Sequence, residues 1–211
     1  MFLINFFILG ILTALLFPPF FIFPLGFLVF PCINLLLIKL RNFGSLNLFF
    51  LSGFFYGLGL FTVFLIWIIN PFFIYDATKD YAYLSFVLFA ILSILFGLGF
   101  IFFKYIEDYF KRIFFIPLIF VIIEMIISNI WYGFPWLVFA NIISNNIFGL
   151  QLLKITGSHF VSFSLILIFL FPSIIFKFSD FKKLFQPTYF LFIILIILCI
   201  IIQLIFLLTD T

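Results

Sequence analysis

Long apolar runs, separated by short segments that carry most of the charge, limit how this chain can fold more than any other feature. A helix rises about 1.5 Å per residue, so about 20 apolar residues cross the hydrocarbon core of a bilayer. About seven stretches of the 211-residue sequence reach or approach that length. They are residues 2–17, 20–38, 48–69, 83–103, 113–130, 155–176 and 188–208. The sequence therefore predicts an all-α integral membrane protein, a bundle of about seven transmembrane helices.

The composition excludes a water-soluble fold. Hydrophobic residues make up 68% of the sequence and charged residues 8%, whereas soluble domains carry about 25% charged residues. The net charge of +3 is small and does not indicate a nucleic-acid partner. We expect residues 1–211 to form a single transmembrane domain, with no soluble catalytic domain in the chain.

The basic residues are distributed unevenly between alternate loops. Eight of the ten follow the second, fourth and sixth predicted helices, and only Lys79 and Lys154 fall on the other side. Cytoplasmic loops are enriched in Lys and Arg, so the N-terminus is predicted to be cytoplasmic and the C-terminus external. The eight are Lys39, Arg41, Lys104, Lys111, Arg112, Lys177, Lys182 and Lys183.

One motif, residues 131–137 (WYGFPWL), interrupts the apolar pattern. Gly133 permits a tight turn, and Pro135 cannot continue a helix and pushes the residue before it toward an extended conformation. Phe134 and Trp136 are therefore expected on a re-entrant or interfacial loop, where their rings can line an acyl-chain groove. The alternative is a loop that only dips into the interface.

Glu124 is the one acid deep inside an apolar run. A carboxylate at membrane depth is costly and marks a functional-site hypothesis. Ser128 lies one helical turn further on and Asn129 is adjacent, so a polar stripe facing the bundle interior is expected. Glu124 would orient a substrate or the 131–137 turn. The structural alternative is a buried carboxylate that is protonated or bonded to Ser, Asn or a loop amide.

All three Trp residues, at positions 67, 131 and 136, fall on the predicted outer side. An aromatic belt accounts for them because Trp favours the headgroup region, and a lipid site in the outer leaflet accounts for them equally well. Gly53, Gly57 and Gly59 have the spacing that lets helix backbones approach closely. We favour packing within one chain over dimerisation, and hence a monomeric bundle.

The remaining reactive side chains form no recognisable catalytic set. His159 is the only histidine and has no ligand set around it in the sequence, so no metal site is expected. Cys32 and Cys199 lie within apolar spans and fit small packing residues better than reactive thiols. No catalytic residue and no cofactor is assigned to this chain.

Several motifs together resemble the membrane domain of the bacterial apolipoprotein N-acyltransferase family. Glu124 precedes Gly133-Phe134-Pro135-Trp136-Leu137 as in that family, and residues 17–20 (FPPF) followed by 23–25 (FPL) are similar to its first hairpin. Residues 57–61 (GLGLF) leading to Trp67 are similar to its third helix. Thr156-Gly157 and Ser162-Phe163 are similar to the start of its sixth.

The resemblance implies an activity and a location. That family acylates the N-terminal cysteine of diacylated lipoproteins, with phospholipid as the acyl donor, in the bacterial cytoplasmic (inner) membrane. Its Glu-Lys-Cys triad belongs to a nitrilase-like periplasmic domain that follows the seventh helix. This chain would then supply lipid binding and dock a nitrilase-like partner on its outer face. The implied lipid-positioning residues are Glu124, Gly133, Phe134, Pro135, Trp136 and Trp67.

The sequence departs from the family pattern at three positions. Phe23 stands where Trp is usual, Ile127 where Arg is usual, and Asn141 where the family has an aromatic residue. The lost Arg affects expected contacts to a headgroup or loop. Two other functions stay open: a non-enzymatic membrane protein that binds or transports lipid, and an inactive remnant of the enzyme.

Overall fold

The computed structural model describes residues 2–42, 44–130 and 135–176, and within these ranges the chain is helical with no strand. Short 3₁₀ segments join the α-helices; the longest is Ile66–Phe73, and another is Phe139–Ile143. The α-helices are α1 Phe2–Ala14, α2 Gly26–Arg41, α3 Leu46–Phe64, α4 Leu84–Ile101, α5 Tyr109–Asn129, α6 Ile147–Thr156, α7 Ser158–Phe169 and α8 Phe171–Phe176.

Three helical stretches of the described residues are long and apolar enough to cross a membrane: Phe23–Arg41, Leu46–Phe64 and Asp76–Tyr105. The pair α6 and α7 makes a fourth candidate if it is counted as one broken span. The all-helical fold is confirmed. The predicted number of about seven spans and the predicted orientation stay predictions, and the expected helix over residues 188–208 lies outside the described residues.

The expected sixth helix is not continuous. α6 and α7 meet at an angle of 119° around Gly157, whose φ is +82°. Residues with a Cβ rarely adopt that conformation, which glycine reaches without steric cost. The prediction of one helix over residues 155–176 is therefore wrong, since the chain turns at Gly157 and breaks again at Leu170 before α8.

The glycines of α3 bring neighbouring helices into backbone contact. A Cβ on Gly59 would collide with the carbonyl oxygen of Phe7 in α1, and one on Gly53 with that of Phe96 in α4. A Cβ on Gly57 would lie 2.8 Å from the Cα of Ser93. The glycine face of α3 therefore packs between α1 and α4 within one chain, as its spacing predicts.

Aromatic rings fill the space between the helices. Phe120 of α5 contacts rings from three other helices, and Tyr56 bonds through its hydroxyl to Thr13 Oγ1 at 2.9 Å. Phe139, which belongs to a 3₁₀ segment, is fully buried in this cluster. Its ring centroid lies 5.4 Å from that of Phe17 and 5.7 Å from that of Phe120. The segment after α5 thus reaches into the core.

Candidate functional site

The Glu124 carboxylate lies on the buried face of α5, with no exposed surface. Its Oε2 accepts a hydrogen bond from the Phe139 N–H at 2.9 Å. Its Oε1 accepts from Ser162 Oγ at 3.1 Å and lies 2.6 Å from His159 Nδ1. One side chain of α5 therefore links the 3₁₀ segment Phe139–Ile143 to α7.

Ser162 completes the link. Its hydroxyl oxygen accepts the N–H of Ala140 at 2.9 Å while its proton goes to Glu124. Phe139 and Ala140 are the first two residues of the 3₁₀ segment, and N–H groups at that end of a helix lack partners within the helix. Unsatisfied buried N–H groups are costly. Glu124 and Ser162 therefore cap this segment from two neighbouring helices.

His159 extends the cluster toward the surface. It lies three residues before Ser162, on the same face of α7, and 39% of its side chain is exposed. Nδ1 lies within hydrogen-bond distance of Glu124 Oε1, and the second ring nitrogen lies on the opposite edge of the ring. Among the described residues, no group of three or more His, Cys, Asp or Glu side chains could hold a metal ion.

Ser128 and Asn129 do not join this cluster. Ser128 Oγ is buried and has no hydrogen-bond partner among the described residues, and Asn129 Nδ2 donates to the carbonyl of Met125 at 2.7 Å. Ser128 Oγ nevertheless lies on the inward side of α5 with Glu124, as the expected polar stripe predicts, whereas Asn129 is exposed. The carboxylate instead takes its partners from a loop amide and from a Ser of another helix, as the structural alternative proposed.

A cavity of about 520 Å³ lies beside the capped segment. The rings of Trp67 and Trp136 meet at its wall, with centroids 4.4 Å apart and planes inclined by 47°. Both side chains are also partly exposed, at 46% and 40%. The lining is almost entirely apolar and comprises Ala14, Pro18, Pro19, Phe20, Val63, Phe64, Ile66, Trp67, Pro135, Trp136 and Asn141.

The segment 135–143 connects the cavity to the carboxylate. Pro135, Trp136 and Asn141 line the cavity, whereas Phe139 and Ala140 are held by Glu124 and Ser162. Leu137 and Val138, between the two groups, are buried. Glu124 therefore does not line the cavity; it positions the cavity wall through its hydrogen bond to the 135–143 segment.

The predicted site residues fall into three groups. Trp67, Pro135 and Trp136 come together at the cavity, and Glu124 holds the segment that carries two of them. Gly133 and Phe134 lie outside the described residues. The sequence interpretation missed the roles of His159 and of the Pro18–Phe20 turn. No spacing signal links His159 to Glu124, 35 residues earlier, because only the packing of α7 on α5 brings them together.

The profile of the apolipoprotein N-acyltransferase N-terminal domain matches residues 9–171 of this chain. The chain belongs to that family. No curated protein matches the sequence. The matched range contains the cavity and the whole Glu124 cluster, so both lie within the apolipoprotein N-acyltransferase N-terminal domain. Family and apolar helices together make this a membrane protein that corresponds to the membrane part of an apolipoprotein N-acyltransferase.

Proposed function

We propose that this chain is the lipid-binding membrane module of an apolipoprotein N-acyltransferase in the bacterial inner membrane. The cavity beside Trp67 and Trp136 receives an acyl chain of phospholipid, the acyl donor, or of the diacylglyceryl anchor of the lipoprotein. The observation that carries the proposal is the apolar cavity walled by this Trp pair. Its volume of about 520 Å³ lies within the range of small-molecule sites, about 300–1,000 Å³.

The proposed orientation places the cavity in the outer leaflet. Arg41 contacts Glu107 near the start of α5, and the Trp pair lies beyond its other end. The 21 residues of α5 span about 30 Å at 1.5 Å per residue, the thickness of a bilayer core. In this orientation the end of α5 near Arg41 is cytoplasmic and the end near the Trp pair is periplasmic. We further propose that the bundle has about seven spans and is monomeric.

The chemical step belongs to a nitrilase-like partner domain that docks on the outer face. No side chain in the described residues is assigned to it. The role of this chain is to bring the ester of the phospholipid and the amino group of the lipoprotein to the membrane surface. Preorganisation of the 135–143 segment by Glu124 keeps the Trp136 wall in place when the cavity fills with acyl chains.

A non-enzymatic lipid-binding or lipid-moving protein is the second candidate. The break between α6 and α7, with its angle of 119°, favours it because broken helices are common in transporters. Both candidates require the cavity to bind lipid, and they differ in whether acyl transfer follows.

Acyl transfer with a supplied partner domain separates the two. The full chain is reconstituted in phospholipid vesicles with a nitrilase-like domain and a diacylated lipopeptide, and the mass gain of one acyl chain is followed. We expect transfer by the wild type, and a loss of about tenfold or more in Trp136→Ala, since truncating an aromatic anchor of a binding site costs about 2 kcal/mol. Phe73→Ala, at an exposed ring, is the matched control. Lipopeptide binding without transfer would favour the second candidate, and neither binding nor transfer would refute both.

A further inference from the structure

A second cavity lies between α4 and α5, away from the Trp pair. It has a volume of about 390 Å³, and apart from Tyr105 and Gly99 its lining residues are Leu, Ile and Phe. Leu98 contributes from α4, and Leu118 and Ile122 contribute from α5. An apolar groove of this size can receive part of an acyl chain.

The groove continues into a polar pocket at the start of α5. The pocket has a volume of about 760 Å³, and its charged lining residues are Arg41, Glu107, Asp108 and Lys111. Tyr105, Ile106 and Phe115 line both cavities and so join them end to end. The combined shape has an apolar stem and a charged head, which matches one lipid molecule.

Among the residues that the structure describes, the pocket contacts of Arg41 and Asp108 leave the Lys111 ammonium without an ion-pair partner. Arg41 pairs with the Glu107 carboxylate at 2.8 Å and donates to its carbonyl at 3.0 Å. Asp108 accepts the backbone N–H of Lys111 at 2.8 Å and so caps α5. Neither contact uses the Lys111 ammonium. Arg112, which is 3% exposed, donates to the Ile106 carbonyl at 2.9 Å and fixes the pocket wall.

We propose that this combined cavity binds one phospholipid of the cytoplasmic leaflet with a zwitterionic phosphoethanolamine headgroup. One of the two acyl chains lies in the groove, the phosphate binds Lys111, and the amine faces the carboxylates of Asp108 and Glu107. The four lining charges cancel, so a headgroup that carries both signs fits better than an anionic one.

Native mass spectrometry of the full chain tests the proposal. The protein is inserted in nanodiscs of equimolar phosphatidylethanolamine and phosphatidylglycerol, then released in the gas phase, and the lipids it retains are counted. We expect the wild type to retain one phosphatidylethanolamine. Lys111→Gln should reduce this retention about tenfold through loss of a charge-assisted contact. Leu98→Trp should reduce it by a similar factor because the new side chain fills the groove. Lys154→Gln and Ile91→Trp, at exposed positions outside both cavities, are the matched controls and should retain the lipid.

Three results would overturn the proposal. Retention in proportion to the lipid mixture, unchanged in both variants, would mean ordinary boundary lipid. Enrichment of phosphatidylglycerol would contradict the headgroup assignment. A photo-crosslinking amino acid at Leu118 that attaches to a peptide of residues 188–208, and not to phospholipid, would mean that the predicted seventh helix fills the groove. A phospholipid adduct at Leu118 that depends on Lys111 supports the site independently of the outer cavity.

Discussion

Removal of the Glu124 carboxylate should release the 135–143 segment while the rest of the bundle stays folded. In Glu124→Ala the buried Phe139 N–H loses its acceptor at 2.9 Å, and an unsatisfied buried donor costs about 1–3 kcal/mol. The lost contacts of Glu124 with Ser162 and His159 add only about 1 kcal/mol. Ser162 keeps its hydrogen bond from the Ala140 N–H, and His159 is partly exposed. The sum is about 2–4 kcal/mol.

Amide hydrogen exchange at Phe139 and Ala140 measures this loss directly. A local destabilisation of about 3 kcal/mol increases opening about 100-fold. Glu124→Gln retains one acceptor oxygen for Phe139 and should lose only about 1 kcal/mol. The matched control is Glu107→Ala, because that side chain is 79% exposed and surface ion pairs contribute about 0–1 kcal/mol.

Two outcomes would refute the reasoning. Unchanged exchange at Phe139 in Glu124→Ala would show that the carboxylate does not hold the segment. Equally accelerated exchange in α1, α3 and α4 would show that the loss is global and that Glu124 is a general core residue. The account is supported if amide exchange in residues 135–143 is fastest in Glu124→Ala, slower in Glu124→Gln and slowest in the wild type, and if exchange elsewhere is unchanged.

Three further predictions concern packing. Phe139→Ala should lower the free energy of unfolding in mixed micelles by about 3–5 kcal/mol, because the Phe139 ring is fully buried. A loss of stability no larger than that of Phe73→Ala, at an exposed ring, would contradict this. Gly59→Ala should cost about 1–3 kcal/mol, because its Cβ meets the Phe7 carbonyl, and wild-type stability would refute that contact. Tyr56→Phe should cost about 1 kcal/mol for the 2.9 Å bond to Thr13; in a double-mutant cycle with Thr13→Val, fully additive losses would exclude that bond.

Helix positions in the first half follow from hydropathy alone. α1, α3, α4 and α5 overlap the predicted runs, with ends that differ by up to five residues, because each apolar run is bounded by charge, Gly or Pro. α2 begins six residues later than its predicted run. α6 was missed although its caps are present in the sequence. The Asn146 side chain accepts the N–H of Gly149 at 2.7 Å, and Gly157 ends the helix. Asn before the first turn and Gly after the last are common start and stop signals of a helix.

The candidate site was predictable in its parts and not in its assembly. Burial cost alone indicates that Glu124 needs partners, and the Pro135 turn indicates a shaped loop. The partners themselves could not be read from one sequence. His159 and Ser162 are 35 and 38 residues from Glu124, and the Gly157 turn decides which face of α7 meets α5.

The central claim, that the cavity beside Trp67 and Trp136 holds lipid acyl chains, is tested most directly by mapping where a bound lipid lies. A diacylated lipopeptide with a photoreactive group near the middle of one acyl chain is crosslinked to the full chain in vesicles, and the adducts are located by tandem mass spectrometry. The account predicts adducts concentrated at residues 18–20, 63–67 and 135–141, displaced by unlabelled lipopeptide. Adducts spread evenly over exposed aromatic residues such as Phe73 and Tyr75, without displacement, would contradict it.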